Sequence, residues 1–386
     1  MNVQFLDAIS TLFTLQRWNF VPRVETWVEA ENIAYVSHLI YAVGRAAGLN
    51  GDQVEKAFSR AILKSFNKHF LSDISHYTRK AINDVKPALW EDVEKDVCAD
   101  TLKMFPEGVH DYIQSNLIAP LHDPDDAKSP ERKLLRFVQM DVARSECETN
   151  KRAYPTNPYY LDLINELDGD VQRLREVDDF RNSMSMLTKY GEYIKNMKYL
   201  RRWNRINRSI ETSVMSHTFV VAALALVTSC MEVSDPACEL PESFTYRSIL
   251  RALFHDVPEA FTGDVITPVK KRIVDRGGKE WHEIELIRLK PFTEVTPINV
   301  ADDMKEFDLL EELPNGDEDI VGKLVKECDR LSVLLECIFE QSTGRTYTEM
   351  TQAYDTYARR LLSSPWRSIR EIALHGLFRE ESNESR

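Results

Sequence analysis

Four ionisable residues on apolar, helix-patterned stretches constrain this chain more than any other feature. His217 has Val214, Val220 and Val221 at helical neighbour spacings. His255 and Asp256 close the run Ile249–Phe254, and Asp329 continues a stripe of Val321, Val325 and Val333. These spacings turn each side chain towards a core. A buried ionisable group without a partner is strongly unfavourable, so the fold must bring partners to all four. Two imidazoles and two carboxylates are the ligand set of a borderline divalent metal, and one shared ion answers all four demands. Separate answers stay open: His217 as a hydrogen-bonded core histidine, and Asp329 paired with Arg247, Arg251 or Arg330.

The rest of the composition fits a helical setting. The chain has 386 residues, enough for one large core or two ordinary ones, and only 13 glycines. With 43% apolar and 29% charged residues it reads as a soluble globular protein, and its long 3.6-residue periodicities predict an all-α fold. A net charge of −13 disfavours a nucleic-acid polymer as partner and leaves a single nucleotide open. The six cysteines form no CxxC pair and read as reduced thiols. The start Met1-Asn2-Val3-Gln4-Phe5-Leu6-Asp7 lacks a signal pattern, and the longest apolar run, Phe219–Val227, is too short to span a bilayer. The expectation is a cytoplasmic protein without a membrane partner.

The sequence also repeats itself at domain scale. Arg17-Trp18-Asn19 returns as Arg202-Trp203-Asn204, and Ser37-His38 as Ser216-His217. Arg60-Ala61 opens a gapless match to Arg251-Ala252, in which Phe70 meets Phe261, Asp73 meets Asp264 and Lys80 meets Lys271. Asp141 falls near the place of Asp329. Ordered landmarks at similar intervals argue against chance likeness of two amphipathic stretches. In this register Lys64-Ser65 replaces His255-Asp256 and Lys68 replaces Glu259, so the first copy is expected to bind no metal. The expected domains are a degenerate copy over 1–150 and a working domain over 161–386. The segment Tyr154–Tyr160 joins them, a charged helix covers about 161–200, and Pro291, Pro297 and Pro314 interrupt the later region.

The ordered set His217, His255-Asp256, Asp329 resembles the HD-domain metal-dependent phosphohydrolases. The stretch from Tyr246 to Lys270 is similar to their 5′-deoxynucleotidase, YfbR-like branch: His255-Asp256 and Glu259 give HD-x-x-E, Thr262-Gly263-Asp264 gives T-G-D, and Thr267-Pro268-Val269-Lys270 gives T-P-V-K. Arg202-Trp203 precedes the first histidine, and Lys326-Glu327-Cys328-Asp329-Arg330-Leu331 carries the last aspartate. Where that branch reads E-N-V-S-E-H, this chain has Ser216 in place of the acidic neighbour of His217.

The resemblance implies an all-α HD-domain bundle, here tandem duplicated as a pseudo-dimer. It implies that His217, His255, Asp256 and Asp329 hold one divalent ion (Mn²⁺, Co²⁺ or a similar transition metal, with Mg²⁺ also open). It makes Glu259 the acidic catalytic residue, sets Arg202 on the phosphate and Trp203 against the sugar, and lines the pocket with Asp264 and Thr267. The implied activity is release of phosphate from deoxyribonucleoside 5′-monophosphates, with self-association possible. Other readings keep the site for nucleoside triphosphates or cyclic dinucleotides, or make the chain a non-catalytic nucleotide sensor or scaffold. Plainer roles stand beside the implied ones. Glu259 fits the first turn of a helix, Thr267-Pro268 fits an ordinary helix start, and Trp203 fits a core aromatic.

Overall fold

The computed structural model describes residues 4–174, 178–265, 267–276, 281–311 and 319–377. Among them the chain is all-α, with two isolated β-bridges and no strand. It divides into two compact units. The N-terminal unit comprises Thr11–Met104 and His110–Thr188; the C-terminal unit comprises Lys189–Arg386 together with the residues up to Ser10 and Phe105–Val109. This division differs from the expected 1–150 and 161–386. Helix Pro158–Leu174 packs on Pro130–Ala153, burying Leu163 and Ile164 beside Cys147 and Tyr160, and so belongs to the N-terminal unit. The expected single helix over 161–200 is instead Pro158–Leu174, Asp178–Met186 and Thr188–Lys195 among the described residues.

In the C-terminal unit, helix Val214–Val233 packs against Phe244–Phe254 and Ile320–Gln341. It starts cleanly because Ser213 and Ser216 cap it reciprocally: Ser216 N donates to Ser213 Oγ at 3.1 Å and Ser213 N to Ser216 Oγ at 2.9 Å. This helix is long and apolar enough to cross a membrane, but nearly all of it is buried inside the unit, as a core helix must be. Each large aliphatic side chain so buried contributes about 1.5–3 kcal/mol. Helix Ile320–Gln341 is capped by Asp319, whose carboxylate accepts from Gly322 N at 2.7 Å, and carries Thr348–Leu362 and Arg367–Leu377 on its other side. Contrary to expectation, Pro291 does not end a helix; Trp281–Val295 runs through it. The carbonyl that loses its donor belongs to Ile287, which is 62% exposed, so water can replace the missing bond. Pro297 does sit at a boundary, as N-cap of Ile298–Glu306, and Pro314 lies outside the described residues.

In the N-terminal unit, helix Glu29–Ala46 packs against Gly51–Ser65 and Pro130–Ala153. Asn50 and Gln53 form a capping box at the second of these, and Ser129 with Pro130 starts the third.

The local geometry of the two units recurs in detail. Gln16 bridges Val28 as Arg201 bridges Ser213. Arg17 N donates to Trp27 O and Arg202 N to Thr212 O, both at 2.9 Å. Trp18 and Trp203 both hold left-handed backbones, with φ 57° and 55°, a conformation costing a bulky residue about 1–3 kcal/mol. Val24 N donates to Asn150 Oδ1 at 2.9 Å, and Ser209 N to Glu340 Oε1 at 2.6 Å. Short helices Lys68–Leu71 and Glu259–Thr262 both end in a positive φ, at Ser72 and Gly263. Counted from these landmarks, Asn32 takes the place of His217 and Gln139 the place of Asp329. The expected pairings with His38 and Asp141 are therefore out of register, the first by six residues along the helix.

Candidate metal centre and substrate cavity

His217 is fully buried, one turn into its helix. Its Nε2 lies 3.1 Å from Asp329 Oδ1 and 3.6 Å from Asp256 Oδ2. Its Nδ1 lies 3.0 Å from Ser332 Oγ and 3.6 Å from Glu336 Oε1. His255 and Asp256 occupy the tight turn between Phe244–Phe254 and Glu259–Thr262, where Val257 N donates to Phe254 O and Glu259 N to Asp256 O. The turn lets two consecutive side chains reach the same place: His255 Nε2 is 3.2 Å from Asp256 Oδ2. One donor atom each from His217, His255 and Asp329 lie within 4.8 Å of one another.

The donor set fits a divalent ion. His255 Nδ1 is 2.7 Å from the Ala252 carbonyl, so that nitrogen carries the proton and Nε2 keeps its lone pair. That buried Nε2 has no hydrogen-bond partner. A proton on His217 Nδ1 likewise serves Ser332 and Glu336, leaving the Nε2 lone pair facing two carboxylates. A lone pair facing carboxylate oxygens is favourable only when a proton or a shared cation stands between them. The potential there is strongly cation-seeking. Burial alone would lower the His255 pKa, but Asp256 and Asp329 overcome it and raise the ring to about 9. Burial opposes ionisation of Asp256 and Asp329 as well, yet His255 beside the first and His217 beside the second hold both carboxyls below their ordinary values.

Behind the donors stands a residue that the sequence reading missed. Glu336, two turns beyond Asp329 on the same helix, is fully buried. It faces His217 Nδ1, accepts from Arg202 Nε at 3.1 Å and from Trp203 Nε1 at 2.5 Å, and lies 3.6 Å from Arg208 Nη1. Burial pushes its carboxyl up, but Arg202, the His217 bond and Arg208 bring it down to about 2. A carboxylate behind a ligating imidazole fixes the ring and its tautomer. The signal was present in Leu334-Leu335-Glu336-Cys337-Ile338, an acid inside an apolar run.

In front of the donors opens a cavity of about 370 Å³, lined among others by Arg202, Trp203, Asp256, Glu259, Asp264 and Asp329. Arg202 is largely buried and reaches within 4.0 Å of Asp256. Burial would lower its pKa; Glu336, Asp256 and Asp329 outweigh this and raise it, so the guanidinium is permanently charged. Trp203 forms a wall of the cavity, its indole N–H tied back to Glu336. Glu259 Oε2 is buried without a hydrogen-bond partner. Burial, then Asp256 and Asp264, push its carboxyl well above the ordinary value. Lys270 lines the same space. Thr267 begins helix Thr267–Asp275, but its side chain lies outside the described residues. The structure thus gathers His217, His255, Asp256, Asp329, Glu259, Arg202, Trp203 and Asp264 in one place, and adds Glu336, Ser332 and Lys270.

Residues 189–373 match the 5′-deoxynucleotidase YfbR-like family. This segment belongs to that family. Among curated proteins, the chain is similar to 5′-deoxynucleotidase YfbR of Photorhabdus temperata, 26% identical over 171 residues that make up 43% of this chain and 81% of the relative. The 5′-deoxynucleotidase of Vibrio cholerae is 27% identical over 169 residues, 43% of this chain and 82% of its own. The 5′-deoxynucleotidase YfbR of Escherichia coli is 27% identical over 152 residues, 39% and 72%. The site described above lies within the YfbR-like segment.

Proposed function

We propose that the chain is a metal-dependent phosphohydrolase that releases phosphate from deoxyribonucleoside 5′-monophosphates. The observation that carries this reading is the meeting of donor atoms from His217, His255 and Asp329 within 4.8 Å, beside Asp256, in a segment matching the 5′-deoxynucleotidase YfbR-like family. In this reading the N-terminal unit is a degenerate copy of the same domain, without a metal.

His217, His255, Asp256 and Asp329 would hold one divalent ion, Mn²⁺ or Co²⁺ by donor type. Bound there, the ion supplies Lewis acidity at the phosphoryl group and acidifies water. Glu336 and Ser332 orient the His217 ring, and the Ala252 carbonyl orients His255. Arg202 and Lys270 place positive charge where phosphate oxygens enter. Arg202 spends its Nε on Glu336, so the outer guanidinium nitrogens serve the phosphate. Glu259 keeps a proton in its buried setting and delivers it to the departing O5′ as general acid. Trp203 is held by Glu336 as a flat wall for the sugar.

The test is phosphate release by the purified full chain, with Mn²⁺ or Co²⁺, from deoxy- and ribonucleoside mono- and triphosphates. The expected result is turnover of deoxyribonucleoside monophosphates, abolished by chelator. Turnover confined to triphosphates, or none with any metal, would overturn the reading.

A further inference from the structure

The N-terminal unit has its own cavity, about 470 Å³, in the place that corresponds to the substrate cavity of the C-terminal unit. Arg17 lines it as Arg202 lines the other, and it is also lined by Asn32 and Gln139, the residues that count to the places of His217 and Asp329. The two spaces differ in sign. The C-terminal cavity is lined by Arg202, Arg205 and Lys270 against five carboxylates, so an anion enters it only with a divalent cation. In the N-terminal cavity Lys64, Lys68, Arg79 and Arg136 join Arg17 against two glutamates, Glu29 and Glu94. The charge a metal would bring is already built into the side chains.

These cations are held in position. Lys64 Nζ is 3.2 Å from Glu94, and Lys68 Nζ is 3.3 Å from Asp73 and 3.6 Å from Glu29. The Arg79 guanidinium lies 6.0 Å from the centre of the Trp90 ring, which lines the same space. Preset cations in a concave, partly apolar pocket bind an anion without reorganising. A flat aromatic wall beside a guanidinium suits a planar heterocycle. Gln139, turned to the cavity, makes no hydrogen bond within the described residues and is available to a ligand.

We propose that this cavity binds a nucleoside monophosphate without metal and without turnover, the phosphate among Lys64, Lys68 and Arg136 and the base against Trp90. The phosphate part rests on the charge alone; the nucleoside part rests also on the nucleotidase reading of the C-terminal unit. With Asn32, Lys64, Ser65 and Gln139 at the places counted for the four metal ligands and Lys68 at the place of Glu259, the groups that would cleave the bound ester are replaced.

The experiment uses the full chain carrying His255→Ala, kept in chelator, titrated by calorimetry with deoxyadenosine 5′-monophosphate, inorganic phosphate and deoxyadenosine. Saturable binding of the monophosphate, tighter than either fragment by roughly tenfold or more, is expected, since it joins two contacts. Lys64→Gln should weaken it roughly tenfold, the usual effect of losing one charged contact. Arg136→Glu, at an exposed position that tolerates a charge, should do the same. Trp90→Phe should remove the tryptophan fluorescence change on binding. Binding that needs added metal, or that neither charge substitution weakens, overturns the proposal, as does no binding at all. Turnover by the native chain is scored separately, so failure of the nucleotidase reading and failure of this one are different results.

Discussion

Two buried glutamates carry the comparison between the units. Glu336 and Glu146 sit at the same place on corresponding helices, and each ties an arginine and a tryptophan from the preceding loop. Arg17 Nε reaches Glu146 at 3.3 Å and Trp18 Nε1 donates to it, as Arg202 and Trp203 do to Glu336. The third partner differs. Asn32 Nδ2 donates to Glu146 at 2.8 Å where His217 Nδ1 faces Glu336. Both side chains satisfy the buried carboxylate, which is what folding demands. Only the imidazole has a second nitrogen on its far side to offer a metal. The Arg-Trp-Glu cluster is thus explained by structure in both units, whereas the proposed metal site needs the side chains at 217, 255, 256 and 329.

The widest gap between the units should appear on removing a ligand. His255→Ala and Asp329→Ala should each take bound metal, measured by elemental analysis after dialysis, and phosphate release to background together. Retained metal in either variant would sink the assigned ligand set. The reverse change sharpens the point. A chain with Asn32→His, Lys64→His, Ser65→Asp and Gln139→Asp should bind a second ion, because Glu146 already stands behind position 32. An unchanged metal content would mean the N-terminal scaffold differs in more than its ligands.

Next in size is Glu259→Ala, which should keep its metal and lower kcat by roughly 10²–10⁴. Unchanged kcat in steady-state phosphate release would remove Glu259 from the chemistry. Smaller again is Glu336→Gln, which loses the charge behind His217 and should weaken metal affinity roughly 10–100-fold. Glu146→Gln, its counterpart, should leave metal affinity as it was. Equal losses in the two variants, by competition with a metal indicator, would show that Glu336 acts only through stability.

The cluster of His217, His255, Asp256 and Asp329 was legible because each interrupts an apolar stripe, and an ionisable group there demands explanation. The helical class followed from periodicity for the same reason. The recurring Arg17-Trp18 and Arg202-Trp203 were legible, but the register of the helices that follow them was not. Ser37-His38 matched Ser216-His217 by identity, while the structure counts from the bridge and helix start that follow Trp18 and Trp203, and so reaches Asn32. A helix tolerates a six-residue slip of a two-residue motif without any sign in its apolar pattern. The buried acids Glu146 and Glu336 would have fixed the second register, because they must align if both are to meet Arg-Trp. The unit boundary was hidden since the Pro- and Tyr-rich join leads into a helix that folds back on Pro130–Ala153.

The smallest expected effect concerns Glu29, whose counterpart in the C-terminal unit is Val214. In the N-terminal unit this buried carboxylate lies 3.3 Å from Arg17 Nη1 and 3.6 Å from Lys68 Nζ. Burial pushes its pKa up, but Lys68 and Arg17 outweigh burial and bring it below the ordinary value. A carboxyl with a depressed folded pKa adds stability above its unfolded value, near about 4.3, and that stability is lost as pH falls through the folded value. Glu29→Gln should therefore cost the N-terminal unit about 1–3 kcal/mol at pH 7, the range for leaving buried charged donors short of a partner. The gap between native chain and variant should close below the folded value, since both then carry a neutral side chain. Hydrogen exchange of helix Glu29–Ala46 at pH 7 and at acid pH reads this directly, with the Val214–Val233 helix as internal reference. A gap that persists at acid pH would assign the role of Glu29 to packing, and the cationic cavity would have to hold its charges together without it.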